Sequence, residues 1–150
     1  MSLAAEVAVE PTGLEQLQAL ISGDRRPGII ETLDLNFVEI EEGRAVFEGV
    51  PGLHAYNPIG TVHGGYAATL LDSACGCAVQ SKLTGRQGFT TLELKVAYHK
   101  AITAKTGRVR AEGRVVSIGR RAAFAEATLK DADGRLLASA TSTLLVFERG

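Results

Sequence analysis

The run Asn57-Pro58-Ile59-Gly60-Thr61-Val62-His63-Gly64-Gly65 leads straight into Tyr66-Ala67-Ala68-Thr69-Leu70-Leu71-Asp72. Its spacing predicts a glycine-rich turn that opens a helix with one acid about two turns in. A helix start offers unpaired backbone N–H groups and the positive end of a dipole. Gly64 and Gly65 place no Cβ in front of those donors, so they suit an oxyanion donor aimed at a carbonyl. Asp72 has only small or medium-sized helix neighbours, among them Gly65, Ala68, Thr69, Cys75 and Gly76, which leaves room for a ligand beside its carboxylate. Each feature alone also has a plain structural explanation, a glycine cap or a solvated helix acid.

His63 is placed to bind substrate, to act as an acid or base, or simply to hold the turn through its ring. Asn57 suits bonding to loop backbone, or orienting a carboxylate or water. Gly64 and Asp72 are eight residues apart, so along one helix they stand about 12 Å from each other. A single ester-type carbonyl cannot touch both. If they share a substrate they must come from two copies of the chain, which couples the catalytic reading to a two-fold dimer.

The helix expected to carry these residues runs from about Gly64 to Leu83 and stops before Gly85. It is rich in Gly, Ala and Cys, and Gly76 in its interior costs about 1 kcal/mol relative to Ala. Such a helix is expected to be wrapped closely by a sheet. Before it, residues 1–11 form a loose leader without the charge pattern of a signal peptide. Thr12 or Gly13 then caps a short helix, Leu14 to Ile21. Strands are expected over Thr32–Ile40, with a bulge or two-sided burial near Val38, and over Arg44–Val50.

After the helix the chain reads as four strands. Phe89–Tyr98 alternates, with Leu92, Leu94, Val96 and Tyr98 on one face and Thr91, Glu93, Lys95 and Ala97 on the other. It has no obvious partner within the chain, and pairing with another subunit would resolve its edge. Lys105–Val116, Arg121–Lys130 and Arg135–Phe147 follow, with turns at Ser117–Arg120 and Asp131–Gly134. The fold class is α+β, an antiparallel sheet curled about one buried helix.

Composition bounds the partners. The 150 residues carry a net charge of −1 and no Trp, which argues against a nucleic-acid surface. No apolar run approaches the roughly 20 residues of a membrane span. Cys75 and Cys77 are two apart on the helix and point to different sides, so a reduced, cytoplasmic chain is the default. His54 and His99 lie in separate segments, so no metal site is expected. No nucleophile elbow, phosphate loop or dinucleotide fingerprint is present. Arg120-Arg121 is a compact basic pair that suits ligand phosphates or a plain hairpin tip.

Taken together, Asn57-x-x-Gly60-x-x-His63-Gly64-Gly65 followed by Asp72 resembles the signature of the hotdog-fold acyl-CoA thioesterases, most closely the phenylacetate-degradation (PaaI-like) branch. Thr90-Thr91-Leu92-Glu93-Leu94 and Ser117-Ile118-Gly119-Arg120-Arg121 add weaker matches, and the resemblance covers about residues 30–147, with 1–29 as leader and short helix. It implies a hydrolase that splits an acyl-CoA thioester at the interface of a homodimer, often within a dimer of dimers, a homotetramer. No cofactor is implied, since coenzyme A is part of the substrate. Asp72 matches the general base or nucleophile, and Gly64 the backbone N–H that polarises the carbonyl. Asn57 and His63 match positions that shape the site. Thr91, or else Thr90, matches a strand hydroxyl that holds the water. Gly65 and the pair Arg120 and Arg121 match substrate contacts, the arginines at the CoA phosphates. The chemistry is sufficient: a carboxylate kept dry is a stronger base, and a thiolate leaves readily because the thiol pKa is about 8.5. Two other readings use the same residues: a hotdog acyl-CoA hydratase or dehydratase with a His–Asp pair, and a non-catalytic acyl-CoA-binding module.

Overall fold

The computed structural model describes residues 10–150. The leader expected over residues 1–11 therefore lies outside the described residues except for Glu10 and Pro11. The elements are α1 (Gly13–Ser22), α2 (Gly28–Thr32), β1 (Leu35–Glu41), β2 (Arg44–Gly49), α3 (Gly64–Gln80), β3 (Gln87–Tyr98), β4 (Val109–Ile118), β5 (Ala122–Asp131) and β6 (Leu136–Glu148), with a 3-10 turn at Leu53–Ala55. The strands form one antiparallel sheet in the order β1-β2-β4-β5-β6-β3. It wraps α3, as expected for a hotdog fold.

Small residues on both partners let the sheet close on the helix. Ala111, Ala123, Ala125, Ala127, Ala138 and Ala140 are buried on the sheet side, and Ala67, Ala74, Cys75 and Ala78 on the helix side. At Gly113 the sheet approaches the helix backbone itself. A Cβ there would lie 2.4 Å from the Ala74 backbone, so only glycine fits. Gly76 likewise faces another group: a Cβ would meet the Phe89 ring at 2.9 Å.

Corrections to the sequence reading concern ends and pairings. β3 does have a partner in the chain: it pairs with β6 from Gln87↔Glu148 to Tyr98↔Ala138. It is still an edge strand, because its other side ends the sheet. The expected start of the first strand at Thr32 is taken by α2, and β1 begins at Leu35. The register shift in β1 falls between Phe37 and Glu39, at the expected bulge. β4 begins at Val109, not Lys105, and extends through Ser117 and Ile118, so its turn is displaced to Gly119–Arg121. α3 ends at Gln80, short of Leu83.

Local chemistry explains the ends that were anticipated. Thr12 and Glu15 form a reciprocal capping box on α1. Asp131 Oδ1 accepts from the Asp133 and Arg135 N–H groups, and Gly134 takes φ +82° in the β5–β6 hairpin. On the outward side of β1, β2 and β4, Glu39, Glu48 and Glu112 are bridged to Arg44, Arg108, Arg110 and Arg114 at 2.6–3.2 Å.

Candidate active site

Asn57 builds the loop before α3. Its Oδ1 accepts from the Ile59 and Thr61 N–H groups at 3.1 Å, and its Nδ2 donates to Thr61 Oγ1 at 2.9 Å. Gly60 supports the tight turn with φ +91°. Asn57 thus holds the loop through both ends of its amide, which favours its backbone-bonding role over ordering a water.

His63 is the N-cap of α3. Its Nδ1 accepts from the Gly65 N–H at 2.8 Å, and the His63 backbone N–H donates to the Ala55 carbonyl at 2.7 Å. Accepting at Nδ1 fixes the ring as the tautomer with its proton on Nε2. The Tyr66 N–H reaches the His63 carbonyl at 2.9 Å. Among the described residues, none of these bonds uses the Gly64 N–H, the next donor at the helix start. The Tyr98 hydroxyl donates to the Gly64 carbonyl at 2.7 Å and fixes that peptide from the end of β3.

Two turns along the same helix, the half-buried Asp72 accepts a hydrogen bond at Oδ1 from Thr91 Oγ1, 2.9 Å away. That contact corrects the facing assigned to β3. A bulge between Thr91 and Glu93 leaves Leu92 outside the register, 61% exposed. The extra residue moves Thr91 onto the helix-facing side shared by Leu94, Val96 and Tyr98. Thr90 is exposed and points away. Sequence alternation misses the bulge, and with it the role of Tyr98 beside Gly64.

Asp72 and Thr91 open into a cleft of about 510 Å³ between α3, β3 and the α1–α2 segment. Gly64, His63, Asn57 and Tyr98 line a different cleft, of about 340 Å³. The two share no lining residue, in keeping with the roughly 12 Å between them along the helix. Cys77 lies beside Asp72. Burial, aided by the Asp72 carboxylate, pushes its thiol up to about 12, which favours the neutral thiol over the thiolate. Arg120 and Arg121 are exposed at the β4–β5 turn and line neither cleft. Among the described residues no cluster of three His, Cys, Asp or Glu side chains is placed to hold a metal ion. No helix among them is long and apolar enough to cross a membrane.

The chain matches the thioesterase superfamily over residues 59–138, more than half its length, a stretch that includes α3 with Gly64 and Asp72 and the strand that carries Thr91. It belongs to that family. It is 32% identical over 117 residues to a putative esterase of Caenorhabditis elegans, covering 74% of this chain but only 65% of that protein's length. It is 26% identical over 119 residues to a 1,4-dihydroxy-2-naphthoyl-CoA hydrolase of Listeria monocytogenes, covering 79% of this chain and 95% of that one. Among solved structures, a putative thioesterase of Ralstonia eutropha described as phenylacetic acid degradation-related superposes with a TM-score of 0.76. The two are 25% identical, and the match covers 85% of this chain and 97% of that one.

Proposed function

We propose that this protein hydrolyses an acyl-CoA thioester to the free acid and CoA, in a site shared by two copies of the chain. The observation that carries the reading is the Asp72–Thr91 pair, a carboxylate held by a hydroxyl at the mouth of an apolar cleft. Asp72 acts as general base or nucleophile. As base, it takes a proton from water while the water oxygen adds to the thioester carbon. The Gly64 N–H of the second copy stabilises the resulting oxyanion. Collapse breaks the C–S bond, and the thiolate leaves and is protonated. Thr91 holds the carboxylate, and Asn57 and His63 hold the loop that aims Gly64. Gly65 and the Arg120–Arg121 turn contact substrate, the arginines at the phosphates.

The relative named for a naphthoyl-CoA substrate supports CoA thioesters as the substrate class. The hydratase alternative needs a histidine free to exchange protons beside the acid. His63 already spends Nδ1 on holding the Gly65 N–H, which weighs against it. A binding module would not need Asp72.

Thiol release from a panel of acyl-CoAs separates these readings. The wild type should release thiol. Asp72→Asn should lower kcat by roughly 10²- to 10⁴-fold, the usual contribution of a general base, with folding intact. Binding without turnover by the wild type would contradict the proposal, and hydration of an enoyl-CoA without thiol release would favour the hydratase.

A further inference from the structure

Beyond Asp72 and Thr91, the larger cleft is walled by residues with no part in the bond-breaking step. Ile21 comes from the end of α1, Ile30 from α2, and Phe37 and Phe47 from β1 and β2. Phe37 and Phe47 stack with ring centroids 4.4 Å apart. Phe89 closes the floor against Gly76, where the missing Cβ lets its ring reach the helix. The α1–α2 loop is pinned over this space, since Arg26 Nη1 donates to Asp34 Oδ1 at 2.6 Å and to the Leu35 carbonyl at 3.3 Å. Ile30, Phe37 and Phe89 pack on the core on one side and face the cleft on the other. Asp24, Arg25, Arg26, Asn36 and Ser73 also line the cleft, but Ile21, Ile30, Phe37, Phe47 and Phe89 give it an apolar side, which suits an apolar group whose reactive end sits at Asp72.

We infer that the α1–α2 segment is the specificity wall of the site: through Ile21 and Ile30, opposite Phe37 and Phe89, it selects thioesters whose acyl group is apolar and at least medium in length. The inference rests on the CoA-thioester reading for its ligand class. The wall lies outside residues 59–138, the part that matches the superfamily, so it is contributed by the chain around the shared catalytic core. A short acyl group would leave most of the cleft to water, whereas a longer one would bury its methylenes against the wall.

Calorimetric titration with S-methyl-CoA and S-octyl-CoA, thioethers that cannot be hydrolysed, reads the wall without turnover. The wild type should bind S-octyl-CoA at least about sixtyfold more tightly, the effect of burying some three methylenes. Ile21→Trp and Ile30→Trp, which fill the cleft, should each cut that ratio at least about fivefold. Val116→Trp, on an exposed strand position outside the cleft, should leave it within twofold. A wild-type ratio near one overturns the inference, even if both tryptophan variants fail to fold. So does an equal loss in Val116→Trp. Assaying octanoyl-CoA alongside separates the two proposals. Tight S-octyl-CoA binding without thiol release contradicts hydrolysis and leaves the wall standing, while thiol release with a binding ratio near one does the reverse.

Discussion

Asp72 acquires a use from its surroundings. Its Oδ1 is held by Thr91 at 2.9 Å, and the carboxylate faces an apolar cleft. The hydroxyl offers the ionised form a partner without covering it, which leaves the other oxygen for water. Thr91→Val keeps the shape and removes that donor. It should lower kcat about tenfold, less than Asp72→Asn, with KM for the acyl-CoA within threefold. A steady-state thiol-release assay checks this, and an unchanged kcat would reduce Thr91 to packing. His63 and Asn57 teach the opposite lesson. Both looked like candidates for chemistry; Asn57 spends its whole amide, and His63 its Nδ1, on the loop that ends at Gly64.

At the scale of elements, close approach is the governing quantity. Gly113 of β4 sits against the α3 backbone at Ala74, and backbone cannot move aside as a side-chain tip can. Gly113→Ala should therefore destabilise the fold by about 1–3 kcal/mol, as overpacking does. Urea unfolding would show it as a lower midpoint with little change in slope. Much of this was legible in the sequence. The small residues of α3 called for a tight sheet, Thr12 or Gly13 for a cap, and Asp131–Gly134 for a hairpin. The β3 bulge was not legible, although the one near Val38 was, because one residue inserted in an otherwise alternating strand leaves hydrophobic content unchanged while reversing which parity faces inward. Thr91 was consequently assigned the face opposite Tyr98, although both face α3. The β3–β6 pairing escaped because β4 and β5 intervene in sequence between them. The five-residue α2 has too few residues to show a helical period. The wall of the cleft was invisible for a related reason, since it is assembled from α1, α2, β1, β2 and β3.

At the scale of the whole molecule, two surfaces carry consequences. On the outward face, Arg110 and then Arg44 hold the Glu39 carboxyl below its usual range, and Arg44 does the same for Glu112. A carboxylate with a depressed folded-state pKa contributes stability that is present above its unfolded value, about 4.3, and is lost as pH falls through the folded value. The thermal midpoint should thus hold down to about pH 4.5 and decline below it. Glu112→Gln should make that decline shallower; an identical slope in the variant would show that these bridges contribute nothing to acid stability.

The other surface is the one that holds Gly64 and Asp72 in separate clefts on one helix. On the proposed reading the chain has each half of a site twice over once it pairs. The free edge of β3 beside α3 is where a second copy would complete it. Mixing two inactive variants tests this most directly. Gly64→Pro deletes the N–H at a helix position that tolerates proline, and Asp72→Ala deletes the acid. Because any Cβ at Gly64 meets the Tyr98 hydroxyl at 2.9 Å, Gly64→Ala serves as the control that keeps the N–H. After co-refolding, the mixed population should regain thiol release approaching a quarter of wild type, since half of the dimers are mixed and each has one intact site. Mixtures as inactive as either parent, with Gly64→Ala active, would contradict a site shared between two chains.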